Sequence, residues 1–225
     1  MLARLHHQLI VSCQAPADSP LHDAGIIAAI AQAAVNQGAA GLRIDSPAHV
    51  AAVRQRLPAT PIIGLWKQQL PDSEVYITPR WRDAVAIAEA GADIIALDAT
   101  LRPRPDGDTA TDLIHRIQQE LGKPVMADID TWESAQAAAA AGAELIGTTL
   151  YGYTTATHTL TPPGWDLLAT MVMQLDVPVI CEGGVATPAM ARQALDQGAY
   201  AVVVGTAITG VDALARSFQA AIATV

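Results

Sequence analysis

Apolar residues in this chain fall into short, nearly uninterrupted runs separated by longer stretches of helical periodicity. Four runs are opened by a Gly-Ala pair: Gly38-Ala39 before 40–44, Gly91-Ala92 before 93–98, Gly142-Ala143 before 144–148 and Gly198-Ala199 before 200–205. The pairs recur at intervals of 53, 51 and 56 residues. A second series, opened by proline, interleaves with the first: Pro61 before 62–67, Pro124 before 125–128 and Pro178 before 179–182. With 9–12 the total is eight runs. Runs that are apolar on both faces of the pleat suit strands covered on both sides, as in a parallel sheet.

The stretches between them read as helices over 24–37, 47–57, 80–90, 108–121, 132–141, 163–175, 188–197 and 211–223. Gly38, Gly91, Gly122, Gly142 and Gly198 follow the ends of several of these, where a left-handed cap favours glycine. Thr187-Pro188 reads as N-cap followed by first helical residue. Eight strand–helix units in a row predict one (β/α)₈ TIM barrel spanning residues 1–225 as a single domain. An open doubly wound sheet competes, but it leaves the recurrence of two strands per repeat unexplained.

Composition narrows the chemistry. The 225 residues are 51% hydrophobic and carry a net charge of −9, with no basic run. That balance disfavours nucleic acid and anionic membranes as partners, so any anion must be held in a local pocket. No apolar stretch has the length of a membrane span, and the start of the chain lacks the pattern of a secretory signal. Cys13 and Cys181 do not form a disulfide framework, and no Cys/His spacing fits a zinc site. A reduced, cytoplasmic protein is expected, with a homodimer left open.

In a barrel of this kind the chemistry sits at the C-terminal ends of the strands. Those positions carry Ser12-Cys13-Gln14, Arg43, Lys67, Asp98, Asp128, Thr148-Thr149, Glu182 and Gly205-Thr206. Lys67 is one of only two lysines against eleven arginines, and the other, Lys123, precedes a strand. A lysine at this address can serve as base, proton donor or imine former once burial lowers its pKa. Glu182 ends a strongly apolar strand, so it points into the mouth or to a buried partner. Gly183-Gly184 and Gly205-Thr206 follow strands seven and eight, where backbone amides cradle phosphate. Arg102-Pro103-Arg104-Pro105 places two guanidiniums beside the mouth, which suits an anionic ligand. Asp98 and Asp128 could equally well hold loop amides.

Taken in order, these pieces resemble the N-acetylmannosamine-6-phosphate 2-epimerases of sialic acid catabolism. The matching segments include Ile10-Val11-Ser12-Cys13-Gln14, Leu42-Arg43-Ile44, Pro61-Ile62-Ile63-Gly64-Leu65-Trp66-Lys67, Glu182-Gly183 and Val204-Gly205-Thr206-Ala207-Ile208-Thr209. The resemblance implies a barrel isomerase that interconverts N-acetylmannosamine 6-phosphate and N-acetylglucosamine 6-phosphate without metal or organic cofactor. It carries over Lys67 and Glu182 as the catalytic pair. Gln14, Arg43, Asp128 and Thr148 are the expected substrate contacts, and Gly183, Gly184, Gly205 and Thr206 the expected phosphate contacts. The chain departs from the family at Gly184, where a basic residue is common, and at Tyr151, where serine is common. Two other functions fit the residues alone. One is a Schiff-base lyase or aldolase acting on a phosphorylated sugar through Lys67. The other is a non-catalytic phosphosugar-binding barrel.

Overall fold

The computed structural model describes residues 1–223. Its eight strands are β1 Leu9–Cys13, β2 Gly41–Asp45, β3 Ile62–Leu65, β4 Ile94–Asp98, β5 Val125–Asp128, β6 Leu145–Gly147, β7 Val179–Cys181 and β8 Ala201–Val204. All pairs are parallel, and β8 returns to β1, so the sheet closes into a barrel in sequence order. The open-sheet alternative is thereby excluded.

The strands form where both faces meet apolar neighbours. One face, with Ile10, Ile63, Leu65, Ile94, Met126, Leu145, Ile180 and Val203, fills the barrel interior. The other, with Val11, Leu42, Ile44, Ile95, Leu97, Val125, Ile146 and Val202, packs under the helices. The two sets alternate along each strand, as the period of two requires. Leu5, on a short 3₁₀ turn over Leu2–Leu5, is fully buried and belongs to the interior set. Its side chain lies so close to Gly41 that a Cβ there would stand 2.7 Å from it. This turn was not expected from the sequence.

The helices are α1 Ala24–Asn36, α2 Pro47–Arg56, α3 Trp81–Glu89, α4 Ala110–Arg116, α5 Trp132–Ala140, α6 Trp165–Gln174, α7 Pro188–Asp196, α8 Thr206–Thr209 and α9 Val211–Ala223. Five of them have an N-cap side chain that accepts an amide of the first turn. Thr187, for example, accepts the Met190 amide at 3.2 Å, as its pairing with Pro188 predicted. The helix expected over 108–121 begins later, because Thr109 and Asp112 form a reciprocal capping box, and it ends in a π-helical turn, Ile117–Leu121. The helix α8, between β8 and α9, was also unexpected. The helix α9 stands apart, since none of its side chains is buried. Val211, Leu214, Phe218 and Ile222 form an exposed stripe at helical spacing, with Phe218 71% accessible. No helix among the described residues is long and apolar enough to cross a membrane.

Candidate active site

The alternation inside the barrel decides which strand-end residues reach the mouth. Counting in twos from interior residues gives Arg43 and Asp45 on β2, Lys67 beyond Leu65, Asp98 on β4, Asp128 on β5, Thr149 beyond Leu145 and Glu182 beyond Ile180. A cavity of about 980 Å³ opens at this end, lined among others by Gln14, Arg43, Lys67, Tyr76 and Glu182. The Gly183, Gly184, Gly205 and Thr206 loops also border it.

Arg43 organises the floor. Its guanidinium is 1% accessible, donates to Asp128 Oδ2 at 2.6 Å and lies 3.1 Å from Glu182 Oε1 through Nε. The Nε contact is ionic, because its angle does not make a hydrogen bond. Burial works against the Arg43 charge, but Asp128 and Glu182 overcome that and hold its pKa above the ordinary value. Burial pushes the Glu182 carboxyl up to about 7; Arg43 pulls it down, Asp128 pushes it up, and Thr149 and Lys67 pull it down. Thr149 Oγ1 lies 2.7 Å from Asp128 Oδ1 and 3.2 Å from Glu182 Oε2. One hydroxyl has one proton. Donated to Glu182, that proton favours the ionised carboxyl, against the burial that raises its pKa.

Lys67 faces the same cavity from the other side of the ring. The residue is exposed at the open mouth, yet the atoms crowding its ammonium push the pKa below the usual lysine range, chiefly by desolvation and also through Arg43, against the pull of Asp45, Glu182 and Asp128. No carboxylate lies within 4 Å of its ammonium among the described residues, whereas Lys123 donates to the Ala92 carbonyl. Tyr76, on the loop after β3, was not anticipated. Burial, with Asp128 and Asp98, pushes its phenol up to about 12, so it stays protonated as a donor at the cavity wall.

Several expectations need correction. Thr148 does not face the cavity. It lies one residue out of phase with the interior, and its hydroxyl accepts the Glu182 amide at 3.1 Å and donates to the Glu182 carbonyl at 2.8 Å. Thr149 occupies the inward position instead. Asp128 is fully buried beneath Arg43 and Thr149 and does not line the cavity, so it supports the floor rather than meeting a ligand. Asp98 accepts from Thr100 and Arg102. Neither Arg102 nor Arg104 is free for an anion. Arg102 is spent on Asp98, Thr100 and the Glu74 carbonyl, and Arg104 on the carbonyls of Thr78, Pro79 and Asp98. Asp98 and Thr100 are sequence neighbours, but Glu74, Thr78 and Pro79 come from the preceding loop, which the local sequence around the arginines does not reveal. Burial pushes both Cys13 and Cys181 up to about 12, leaving them unreactive thiols.

Gln14 donates to Ser12 Oγ at 2.9 Å, and its carbonyl oxygen is buried without a partner. Among the described residues the amides of Gly184 and Val185 have no protein acceptor. Gly184 has φ +71°, and a Cβ there would stand 2.7–2.8 Å from Pro162. The local backbone therefore explains why this position is glycine here. Tyr151, the second departure from the family pattern, packs its ring over Gly164, where a Cβ would stand 2.7 Å from Cγ.

A closed barrel with a lysine and a glutamate facing one cavity, and glycine loops at its rim, defines an acid–base enzyme of the (β/α)₈ type. Known proteins narrow this further. The family model described as "Putative N-acetylmannosamine-6-phosphate epimerase" matches residues 27–224. A Synechococcus elongatus protein named as a putative N-acetylmannosamine-6-phosphate 2-epimerase is 67% identical over 222 residues, covering 98% of this chain and 96% of that protein. A Thermosynechococcus vestitus protein of the same name is 61% identical over 214 residues, covering 95% and 92%. The solved N-acetylmannosamine-6-phosphate 2-epimerase of Clostridium perfringens superposes with a TM-score of 0.93 at 38% identity, covering 98% of this chain and 95% of that one. The chain belongs to the N-acetylmannosamine-6-phosphate epimerase family.

Proposed function

We propose that this chain interconverts N-acetylmannosamine 6-phosphate and N-acetylglucosamine 6-phosphate by moving a proton at C2. The observation that carries the proposal is the unpaired Lys67 amine opposite the Arg43–Glu182 pair in one cavity. In the open-chain sugar, the C1 aldehyde acidifies the C2 proton. Lys67, as the neutral amine, takes that proton. Charge then develops on the C1 oxygen, where the Arg43 guanidinium stabilises it, and Glu182 in its acid form returns a proton to C2 from the opposite face, after which Lys67 loses its proton and Glu182 regains one through solvent. The phosphate lies against the amides of the two glycine loops. A reduced, cytoplasmic setting goes with this reading, and both cysteines are free thiols.

Proton NMR of the substrate in D₂O tests the mechanism. The wild type introduces deuterium at C2 during turnover. Lys67→Met loses nearly all turnover and exchange. Turnover without deuterium at C2, or a Lys67→Met protein of near-normal rate, overturns the reading. The depressed Lys67 pKa also favours a Schiff-base lyase, and borohydride distinguishes the two. The epimerase forms no trapped adduct on Lys67, whereas the lyase does.

We also propose that a second copy of the chain covers the stripe on α9. Every other helix of the outer ring buries at least one residue on its own barrel, and α9 buries none. Sedimentation should show a dimer for the wild type and a monomer for Phe218→Asp. Identical behaviour of the two refutes the interface.

A further inference from the structure

Lys67 leaves the sheet two residues after β3 ends, where the ladder no longer holds its main chain in parallel register. The group that takes its backbone amide is a side chain: Lys67 N–H donates to Asp45 Oδ1 at 2.8 Å. Asp45 is the last residue of β2 and stands opposite Leu65 in the β2–β3 register. The next residue continues the join, with the Ser46 amide donating to the Leu65 carbonyl at 2.8 Å. Asp45 therefore fastens the exit of one strand to the exit of its neighbour. It shares the inner face of β2 with Arg43 and lines the same cavity as Lys67. The carboxylates of Asp128 and Glu182 already face Arg43, whereas Asp45 is in no ion pair among the described residues.

We propose that Asp45 is a positioning residue for Lys67, holding its main chain by a hydrogen bond and its amine by charge. The proposal rests on the reading of Lys67 as the base at C2. Two influences lower the Lys67 pKa, burial and the Arg43 guanidinium, and Asp45 is foremost among the three carboxylates that oppose them, ahead of Glu182 and Asp128. Asp45 in turn faces Lys67, His49 of α2 and His22 of the loop after β1. Burial raises its own pKa, and those three groups lower it. The two histidine rings meet edge to face at 4.6 Å behind it. In this arrangement Asp45 offsets the Arg43 charge and the desolvation of the ammonium, keeping the amine basic enough to accept a carbon-bound proton.

The substitution Asp45→Asn separates the two effects, because its amide oxygen still accepts the Lys67 amide while the charge is gone. The pH limb of kcat that reports Lys67 deprotonation should move down by about 1 unit, the lower end of what an opposite charge within ~4–6 Å does. With only two lysines in the chain, ¹³Cε-lysine labelling gives two titrating signals, and Lys123→Arg assigns them. The Lys67 signal should titrate lower in Asp45→Asn by the same amount. If that variant does not fold, Asp45→Glu serves in its place. It keeps the charge, so the Lys67 titration should stay close to wild type, while kcat falls as the hydrogen bond is displaced. Superimposable Lys67 titrations and pH profiles in wild type and Asp45→Asn overturn the proposal, as does a collapsed Lys67 titration in Asp45→Glu. Failure of the underlying base assignment shows separately, as activity in Lys67→Met.

Discussion

Replacing Glu182 by glutamine should make the protein less active and, above neutral pH, relatively more stable. The side chain is 12% accessible, and burial pushes its carboxyl from an ordinary 4.5 up to about 7. A group whose folded pKa is raised gives stability that is fully present below the unfolded pKa and is lost as pH rises through the folded one. For Glu182 that window runs from 4.5 to about 7. Each unit corresponds to about 1.4 kcal/mol, so the wild type should lose on the order of 3 kcal/mol from this residue between pH 4 and pH 8. Glutamine does not titrate and loses none of it. Its removal of an anionic partner from Arg43 is a separate cost, and the pH dependence of the difference between the two proteins isolates the titration. Urea unfolding at several pH values measures that difference. The gap should shift in favour of Glu182→Gln by about 3 kcal/mol on going from pH 4 to pH 8, while kcat falls at least about 10²-fold. A gap independent of pH, or one that shifts toward the wild type, would refute the argument that the site raises the pKa of this carboxyl.

Two threonines adjacent in sequence should behave differently. Thr148→Val leaves the Glu182 amide and carbonyl without their hydroxyl partner and should cost about 2 kcal/mol of stability, read by thermal unfolding, with KM little changed. Thr149→Val removes the hydroxyl between Asp128 and Glu182 and should act mainly on kcat, read by the epimerisation assay. The phosphate should raise kcat/KM for N-acetylmannosamine at least about 10²-fold, the worth of two hydrogen bonds to a charged group; equal values with and without phosphate would contradict its placement at the glycine loops.

The barrel was legible because its strands are apolar on both faces and its helices end at glycines. Gly38, Gly91, Gly122, Gly142 and Gly198 all take positive φ, as their positions predicted. Lys67, Glu182 and Arg43 were legible as strand-end polar residues, but the same list included residues that point elsewhere. Alternation separates them: Leu145 faces inward, so Thr149 does and Thr148 does not. The same count from Arg43 reaches Asp45, which reading β2 as ending at Ile44 left out. Tyr76 and the more distant partners of Arg102 and Arg104, Glu74, Thr78 and Pro79, were hidden for a different reason. They depend on how the loop after β3 folds back over the mouth, with Lys67 bridging Ile77 in antiparallel fashion, and no local pattern encodes that path.

The C-terminal helix touches both the inside and the outside of the molecule. Its first turn brings Asp212, Ala213 and Leu214 to the cavity, and Ser19 of the loop after β1 donates to Asp212 at 2.8 Å. Farther along, Phe218 and Ile222 face outward. A rod with one end at the rim of the reaction vessel and the other free to be gripped works as a lever. In the dimer proposed above, holding its outer end should steady the rim, and dissociation should loosen it. Substrate affinity should then depend on the protein's own concentration, so that diluting the enzyme weakens its grip on the sugar before any bond in the catalytic cluster changes.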